Sequence, residues 1–293
     1  MAVTPLPELT PPRQVRQSTP RPRRGPGSDR ARARELLANL VRRDLKVRHR
    51  GTILGMLWSL TTPLLLVGLY YFIFKIVFRT SPALDAPRPD HQNVPFAVYF
   101  FAGLTLWNLF GNSVAASTMS VVGSGYLLNK VYFPRSILPL SVVLSSLVTF
   151  GFETAVLLVV VVVVLGVPTL QLLWIPVIVA VVCLLAYGLA LFLATVTVFL
   201  RDVAHFIGVL MQLWFWGTPV IYSLQFVAHR PTVHRILELN PVTGPLVSFR
   251  NVVVLDRPPD LHLLAYSLGC AAVGLVIGGL CFNRWQPLFS EIV

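Results

Sequence analysis

Charged residues are scarce in this sequence. Asp, Glu, Lys and Arg make up 12% of its 293 residues, whereas soluble domains carry about 25%. None of these four residue types occurs in the stretches 51–74, 91–129, 154–200, 203–229 and 261–283. A helix that crosses a bilayer needs about 20 mostly apolar residues, and 154–200 is long enough for two. The shortage of charge therefore excludes an ordinary soluble domain and predicts an all-α integral membrane protein.

Residues for catalysis and metal binding are also few. The 3 cysteines all lie in apolar segments, so they offer no disulfide framework and no metal-ligand spacing. The sequence has no Walker-type phosphate loop, no Asp-x-Asp pair and no convincing Ser–His–Asp set. Its 6 histidines fall near predicted span ends. We therefore expect that the chain is not an enzyme and holds no cofactor of its own.

Basic residues concentrate at the start of the chain. The net charge is +12, and 13 of the 24 Lys and Arg residues lie in the first 50 positions. Basic residues beside a first span mark its cytoplasmic flank, so nucleic acid is not predicted as a partner. Residues 1–30 are rich in Pro and Arg and lack the apolar core of a secretory signal. They are predicted to be a disordered cytoplasmic tail.

An amphipathic helix is predicted over 31–50, followed by a six-span membrane domain over 51–293. One face of the helix is apolar and the other basic, which suits the membrane interface. Asp44 lies on the apolar side and can pair with Arg48. The helix either lies on anionic lipid at the membrane surface or packs beneath the spans. Six spans are predicted, at about 52–78, 96–122, 139–165, 170–200, 205–222 and 261–282.

The predicted topology places both termini in the cytoplasm. With this orientation 17 Lys and Arg residues flank the spans inside and 7 outside, in agreement with the positive-inside rule. The connection over 225–260 is long and contains short apolar pieces interrupted by Pro and Gly. Such pieces predict re-entrant or interfacial helices on the extracytoplasmic side, between the fifth and sixth spans.

A polar stripe runs along the third predicted span. Ser141, Ser145, Thr149 and Glu153 recur every four residues and so share one helix face. A carboxyl group inside a membrane is costly and is a functional candidate. The stripe is either a hydrogen-bonded seam between helices, the wall of a polar conduit, or a proton relay.

Aromatic residues gather in two spans. Trp and Tyr near span ends are commonly interface anchors. Their flat faces also stack on sugar rings with little chemical selectivity, which would suit a glycan sliding past. The candidate path residues are Tyr99, Phe100, Trp107, Phe110, Trp214, Phe215 and Trp216.

Four segments carry a family resemblance. They are, in chain order, 42–66 (RRDLKVRHRGTILGMLWSLTTPLLL), 129–140 (NKVYFPRSILPL), 198–222 (VFLRDVAHFIGVLMQLWFWGTPVIY) and 239–254 (LNPVTGPLVSFRNVVV). Together they resemble the permease subunits of type-2 ATP-binding-cassette (ABC) exporters, in the branch that exports O-antigen, teichoic acid and related cell-wall polysaccharides. The resemblance covers the chain after about residue 30.

The resemblance implies a homodimer in the bacterial cytoplasmic membrane, with two separate ATPase subunits that hold ATP and Mg²⁺. It implies that the loop between the second and third spans couples to the ATPase, with contacts at Lys130, Tyr132, Phe133, Pro134 and Arg135. The cargo would be a polyprenyl-diphosphate-linked glycan, and Arg42, Arg43, Arg48 and Arg50 are candidates for its diphosphate or for anionic lipid. The extracytoplasmic gate would contain Asn240, Pro241, Gly244, Pro245 and Arg250.

Two other interpretations remain open at the level of the sequence. A permease of the same fold could export a drug or a small lipid, which needs no wide aromatic path. A secondary transporter coupled to protons, or a membrane enzyme, could use Glu153. A partner ATPase favours export of either a glycan or a drug or small lipid. Proton-dependent transport without an ATPase favours the secondary transporter.

Overall fold

The computed structural model of the chain describes residues 26–49, 58–77, 94–126, 133–166 and 170–292, and every regular element in these ranges is helical. This confirms the all-α prediction for the described residues. The main helices are α1 Pro26–His49, α2 Trp58–Tyr71, α3 Phe96–Thr118, α4 Ile137–Leu165, α5 Ile175–Phe199, α6 Val203–Trp216, α7 Pro231–Glu238, α8 Thr243–Val253, α9 Leu261–Trp285 and α10 Phe289–Ile292. Short helical turns lie at Phe72–Val77, Val122–Ser124, Leu170–Trp174, Leu224–Val227 and Gln286–Leu288.

Three helical segments in the described ranges are long and apolar enough to cross a membrane: Ile137–Leu165, Leu170–Phe199 and Leu261–Leu288. They correspond to the third, fourth and sixth predicted spans. α2 with its following turn and α3 occupy the first and second predicted positions. A six-span count stays a prediction.

α6 is shorter than the span predicted over 205–222. It has 14 residues and ends at Trp216, because Gly217 follows and Pro219 disfavours a helical conformation for the residue before it. Thr218 closes the end by donating its hydroxyl to the Trp214 carbonyl at 2.8 Å. A helix of this length measures about 21 Å, less than the roughly 30 Å hydrocarbon core of a bilayer.

α3 is the centre of the bundle. It packs against α2, α4, α5, α6 and α8, and the side chains of Phe100, Leu106 and Phe110 are fully buried. From α4 and α8 the rings of Phe150 and Phe249 meet at 5.7 Å between centroids. The largest apolar core therefore surrounds α3 and holds α8 against it.

α5 and α9 approach each other through glycines. A Cβ added at Gly188 of α5 would lie 2.6 Å from the backbone carbonyl carbon of Gly274 in α9, and a Cβ at Gly278 would collide with the Gly188 carbonyl oxygen. Small residues let helix backbones come this close in a membrane, where dispersion contacts drive packing. The two glycine positions on α9 are one helical turn apart.

A second apolar cluster joins α1 to the ends of the long helices. Its fully or nearly buried members come from α1, the turn after α3, the start of α4, α5, α9 and α10: Leu40, Val121, Phe133, Ile137, Leu138, Leu191, Ala194, Val198, Phe282 and Phe289. Leu36 and Leu37 of α1 pack against it, whereas Val47 is exposed. α1 thus lies against the ends of the spans, as the second of the two sequence interpretations expected.

Candidate functional site

A groove with aromatic and amide side chains runs between α2, α3 and α6, and we call it the aromatic–amide groove. Its volume is about 380 Å³. Helical spacing creates it, because residues three or four apart share a face. It is lined by Leu66, Leu104, Trp107, Asn108, Gly111, Asn112, Ala115, Gly208, Met211, Gln212, Phe215 and Trp216.

The rings in the groove support one another edge to face. Trp107 and Phe215 meet at 5.6 Å between centroids with planes 69° apart, and Phe215 and Trp216 meet at 5.8 Å with planes 84° apart. Such T-shaped pairs are favourable arrangements of aromatic quadrupoles. Trp216 keeps 55% of its surface exposed, so an aromatic face remains available to a ligand.

The predicted aromatic path divides into two sets. Trp107, Phe215 and Trp216 line the groove, and Trp214 lies behind them, with its ring 5.2 Å from Phe110. Tyr99, Phe100 and Phe110 are buried in the core around α3 and do not line the groove, whereas Trp107 lines the groove but is also part of that core, with 8% exposure. The sequence pattern does not separate these sets, because residues on opposite faces of one helix can be equally aromatic.

The amides of the groove were not among the predicted site residues. Asn108 and Asn112 are one turn apart on α3, and Gln212 lies on α6. The signal that could have revealed them is the pairing of two Asn residues four apart inside a charge-free span. Asn112 and Gln212 are exposed and Asn108 is half-buried.

The polar stripe of α4 faces protein. Ser141, Ser145, Thr149 and Glu153 are all at most 5% exposed. Within α4 the hydroxyls donate to carbonyls one turn earlier, from Ser141 to Leu138 and from Ser145 to Val142, each at 2.9 Å. Between helices, Ser117 of α3 donates to the Pro139 carbonyl at 3.4 Å. The geometry favours the seam interpretation, and Glu153 does not line the groove.

A second cavity, which we call the serine cavity, lies where α1 covers the end of α3 and the start of α4. Its volume is about 590 Å³. The hydroxyls on its wall come from Ser120, Ser124, Ser141 and Ser145. At its rim the Arg43 guanidinium is 3.1 Å from the Asp44 carboxylate, and the Ser141 hydroxyl oxygen lies 3.4 Å from that carboxylate.

The predicted basic residues of α1 are only partly described. Arg43 lines the serine cavity and Arg42 is exposed on the same helix. The Arg48 side chain and all of Arg50 lie outside the described residues. Asp44 pairs with its neighbour Arg43. The expected Asp44–Arg48 pair is not tested, because the Arg48 side chain lies outside the described residues.

The described part of the predicted coupling segment (residues 130–135) contacts the rest of the chain. Lys130 and Tyr132 lie outside the described residues, and residues 133–136 form a turn that leads into α4. Phe133 is buried in the second cluster, and Arg135 donates to the backbone carbonyl of Gln286 after α9. Tyr187 of α5 donates to the Ser136 carbonyl at 3.3 Å. Pro134 is exposed and is available for an outside contact.

Asn240 ties the end of α6 to the connection between α7 and α8. Its amide NH₂ donates to the Gly217 carbonyl at 3.0 Å and to the Thr218 hydroxyl at 2.8 Å. Its carbonyl oxygen accepts from the Trp214 indole N–H and the Val242 N–H, both at 3.1 Å. Both functions of the amide are therefore used for structure. Pro241 beside it is half-buried.

Arg250 of α8 is 1% exposed and is surrounded by carbonyl groups. It donates from Nε to Tyr99 at 3.1 Å, from Nη1 to Pro219 at 2.6 Å and from Nη2 to Val220. The guanidinium carbon also lies 3.9 Å above the centre of the Tyr99 ring, a cation–π geometry. Arg250 thus holds α8 against α3 and against the turn after α6.

Gly244 and Pro245 start α8 in close contact with α9. Both are buried, and a Cβ at Gly244 would lie 2.6 Å from the Leu263 carbonyl carbon. From α9 the Tyr266 hydroxyl donates to the Leu239 carbonyl at 2.9 Å. The five residues predicted for a gate therefore belong to one packed region that joins α6, α8 and α9. In the described part of the chain no three His, Cys, Asp or Glu residues are placed to hold a metal ion.

Comparisons with known proteins agree over most of the chain. The family model described as ABC-2 type transporter matches residues 35–254. The chain is 33% identical over 266 residues to the O-antigen export system permease protein RfbA of Myxococcus xanthus, a match that covers 89% of this chain and 96% of that protein. Two proteins of the same name from Klebsiella pneumoniae are 28% and 29% identical, with 88% of this chain and 95% of each relative covered.

Proposed function

The chain belongs to the ABC-2 type transporter family, and we propose that it is the permease that exports a lipid-linked polysaccharide of the O-antigen type across a bacterial inner membrane. The observation that carries this proposal is the aromatic–amide groove, which combines exposed ring faces with amide groups. The three relatives are named for O-antigen export, so the groove and the relatives support the same class of cargo.

The lining of the groove favours a glycan over the alternative cargoes. A lipid tail would leave Asn108, Asn112 and Gln212 without hydrogen-bond partners, which is costly in apolar surroundings, and a mainly apolar drug would satisfy few of them. Sugar hydroxyls can satisfy these groups while the sugar ring stacks on Trp216. Proton coupling through Glu153 is less well supported, because that residue is buried on α4 away from the groove.

We infer that the permease works as a homodimer with two ATPase subunits that hold ATP and Mg²⁺. Membership of the family supports an ATPase partner. The exposed Pro134, together with Lys130 and Tyr132, would contact the ATPase, whereas Phe133 and Arg135 would pass its movement inward. In this arrangement the protomer has six spans and both termini in the cytoplasm.

The serine cavity is the proposed place of the cargo's diphosphate on the cytoplasmic side. To bind it, Arg43 on the rim would exchange its Asp44 partner for phosphate oxygens, which suit its fork of N–H donors, and Arg42 adds positive charge nearby. Ser120 and Ser124 on the same wall supply further hydroxyl donors, whereas Ser141 and Ser145 already donate within α4. Arg48 and Arg50 follow on the same segment and would extend the basic surface.

The region around Asn240 and Arg250 is the proposed extracytoplasmic gate. Support comes from its short helices, α7 and α8, which have 8 and 11 residues and cannot span a bilayer. Helices this short at membrane depth are stable when they are buried in protein, and α8 is. We propose that opening moves α7, whose residues are mostly exposed, while the Arg250 contacts keep α8 attached to α3.

The experiment that tests the function uses the full chain with its ATPase in inside-out vesicles. We expect ATP-dependent movement of radiolabelled polyprenyl-diphosphate-linked O-antigen into the lumen, and a loss of most of that movement in the Trp216→Ala variant. Trp285→Ala is the matched control, because Trp285 pairs with Phe199 away from the groove. Transport of a drug or of free lipid alone, or transport driven by a proton gradient without the ATPase, would contradict the proposal.

A further inference from the structure

We propose that Asn108, Asn112 and Gln212 make the aromatic–amide groove selective for an uncharged, hydroxyl-rich glycan over an acidic one. The inference rests on the proposed function and adds the chemical class of the cargo. It depends on three observations: where the amides lie, what they can bond, and which residue types line the groove.

The amides lie where a lipid-facing surface would not carry them. Asn112 and Gln212 are exposed on the protomer, within helices whose neighbouring residues are apolar. Polar groups without partners in a hydrocarbon environment cost several kcal/mol each, so we infer that this face is turned toward water or toward a polar cargo. The same face carries the exposed Trp216. Its amides are therefore placed to meet whatever passes along the groove.

The bonding capacity of the amides matches sugar hydroxyls. Each Asn or Gln side chain offers two donors and one carbonyl acceptor, and each hydroxyl both donates and accepts. Asn108 and Asn112 are one helical turn apart, so their Cβ atoms are about 5–6 Å from each other. This spacing allows them to contact different hydroxyls of a chain that lies along α3. The Trp107–Phe215–Trp216 rings supply apolar area for the sugar ring beside the hydroxyls.

The lining of the groove does not favour an acidic cargo. None of its 12 described lining residues is Lys, Arg or His. A carboxylate or phosphate diester that enters an apolar groove loses hydration, and without a nearby cation nothing offsets that cost. The serine cavity differs, because Arg43 lines it. The single diphosphate of a lipid-linked cargo and its repeating sugars would therefore meet different surfaces.

The test measures binding of two defined oligosaccharides to the full permease–ATPase complex in nanodiscs. The probes are a linear mannohexaose, which is neutral, and hexagalacturonate, which carries a carboxylate on each sugar. Binding is followed by isothermal titration calorimetry, because the chain has 6 Trp residues and its fluorescence does not report on the groove alone. We expect the wild type to bind mannohexaose at least about tenfold more tightly, a difference of about 1.4 kcal/mol.

Two variants change the groove in opposite ways. Asn108→Leu/Asn112→Leu removes the α3 amides and should weaken mannohexaose binding about tenfold, equivalent to one or two net hydrogen bonds. Gln212→Lys adds a cation to an exposed position and should raise hexagalacturonate binding above that of the wild type. Gln225→Leu and Gln225→Lys are the matched controls, since Gln225 is exposed in the turn Leu224–Val227 and does not line the groove. Assembly with the ATPase is checked for every variant by gel filtration.

Three results would overturn the inference: equal or tighter binding of hexagalacturonate by the wild type, no binding of either probe, or unchanged mannohexaose binding in the variant without α3 amides. If the α3 variant does not assemble, Gln212→Lys still decides, because its failure to raise hexagalacturonate binding also counts against the inference.

Vesicle transport of the lipid-linked glycan is measured on the same wild-type preparation. Glycan transport without the expected selectivity leaves the proposed function standing. Selective binding without ATP-dependent transport overturns the proposed function alone.

Discussion

At the scale of single residues, Arg250 shows how a charged side chain can be a structural element inside an apolar bundle. The sequence shows an Arg in a segment with short apolar pieces, and the family resemblance implies that this segment is an extracytoplasmic gate. In the structure the guanidinium is enclosed by carbonyls of Tyr99, Pro219 and Val220. Arginine suits this place because its planar group carries five donors in fixed directions.

Arg250→Ala should strongly destabilise the permease. The change leaves several buried carbonyl groups without donors, and each costs about 1–3 kcal/mol. We expect a Tm lower by roughly 5–10 °C, measured by intrinsic fluorescence in detergent. Arg230→Ala, at an exposed position before α7, should leave the Tm within about 1 °C. Equal shifts for the two variants would contradict the structural role.

Gly103→Ala should destabilise the protein through the same contact. An added Cβ would lie 2.7 Å from Cζ of Arg250, so the guanidinium would have to leave its carbonyl partners. Because Ala at position 250 removes that obstacle, the double variant Gly103→Ala/Arg250→Ala should be more stable than the sum of the two single effects implies. Gly151→Ala, where no atom lies within 4 Å of the added Cβ, is the control. Strict additivity of the two Tm shifts would count against a direct collision.

At the scale of elements, the closest helix pair is α5 with α9. Gly188 of α5 and Gly278 of α9 allow backbone contact along this pair, because a Cβ at either position would collide with the backbone of the other helix. The pair joins two of the segments that are long enough to cross the membrane. Since the hydrophobic effect does not hold helices together in lipid, close packing of this kind supplies much of their attraction.

Neighbouring glycines of α9 should therefore respond differently to the same change. Gly278→Ala pushes a methyl group into the Gly188 carbonyl and should cost about 1–3 kcal/mol, whereas Gly279 has open space at its Cβ position. Gly279→Ala should be neutral or slightly stabilising, because Ala is the better helix former. The measurement is the Tm of each variant. If Gly279→Ala lowers the Tm as much as Gly278→Ala does, the contact with α5 is assigned to the wrong face of α9.

At the scale of the whole molecule, α9 connects the coupling segment to the proposed gate. It has 25 residues and a length of about 37 Å. At one end the Gln286 carbonyl accepts from Arg135, and at the other Tyr266 donates to Leu239 beside Asn240. One helix thus contacts both regions that the proposed function assigns to coupling and to the gate.

Arg135→Ala should weaken the coupling between ATP hydrolysis and transport without removing the ATPase from the complex. The side chain is half-buried and bound within the protomer, so its loss should loosen the link to α9. A hydrogen bond worth about 0.7 kcal/mol changes the equilibrium between the linked and unlinked arrangements about threefold. We therefore expect fewer glycans to be moved per ATP hydrolysed. Changes at Lys130 and Tyr132 should instead weaken binding of the ATPase. Arg284→Ala, an exposed residue of α9, is the control, and loss of ATPase binding by Arg135→Ala would contradict this division.

Much of the fold could be predicted from the sequence because its signals are local. The length of each charge-free stretch and the clustering of Arg before residue 50 are enough to predict helices, a membrane and the basic α1. The position of Pro219 shows afterwards why α6 ends at Trp216. Six spans and the orientation of the termini stay predictions. The four family segments predicted the ABC-2 permease, which the comparisons confirm.

The sequence by itself thus determined the helical membrane class, the family and the approximate limits of the helices, since these depend on composition and spacing along the chain. Only the tertiary structure decided which helix faces meet. It separated Trp107, Phe215 and Trp216 in the groove from Phe100 and Phe110 in the core, and it added the amides of α3 and α6. The physical reason is that a span apolar on most of its sides has no unique buried face. Its orientation is set by close packing against neighbours that are distant in the chain.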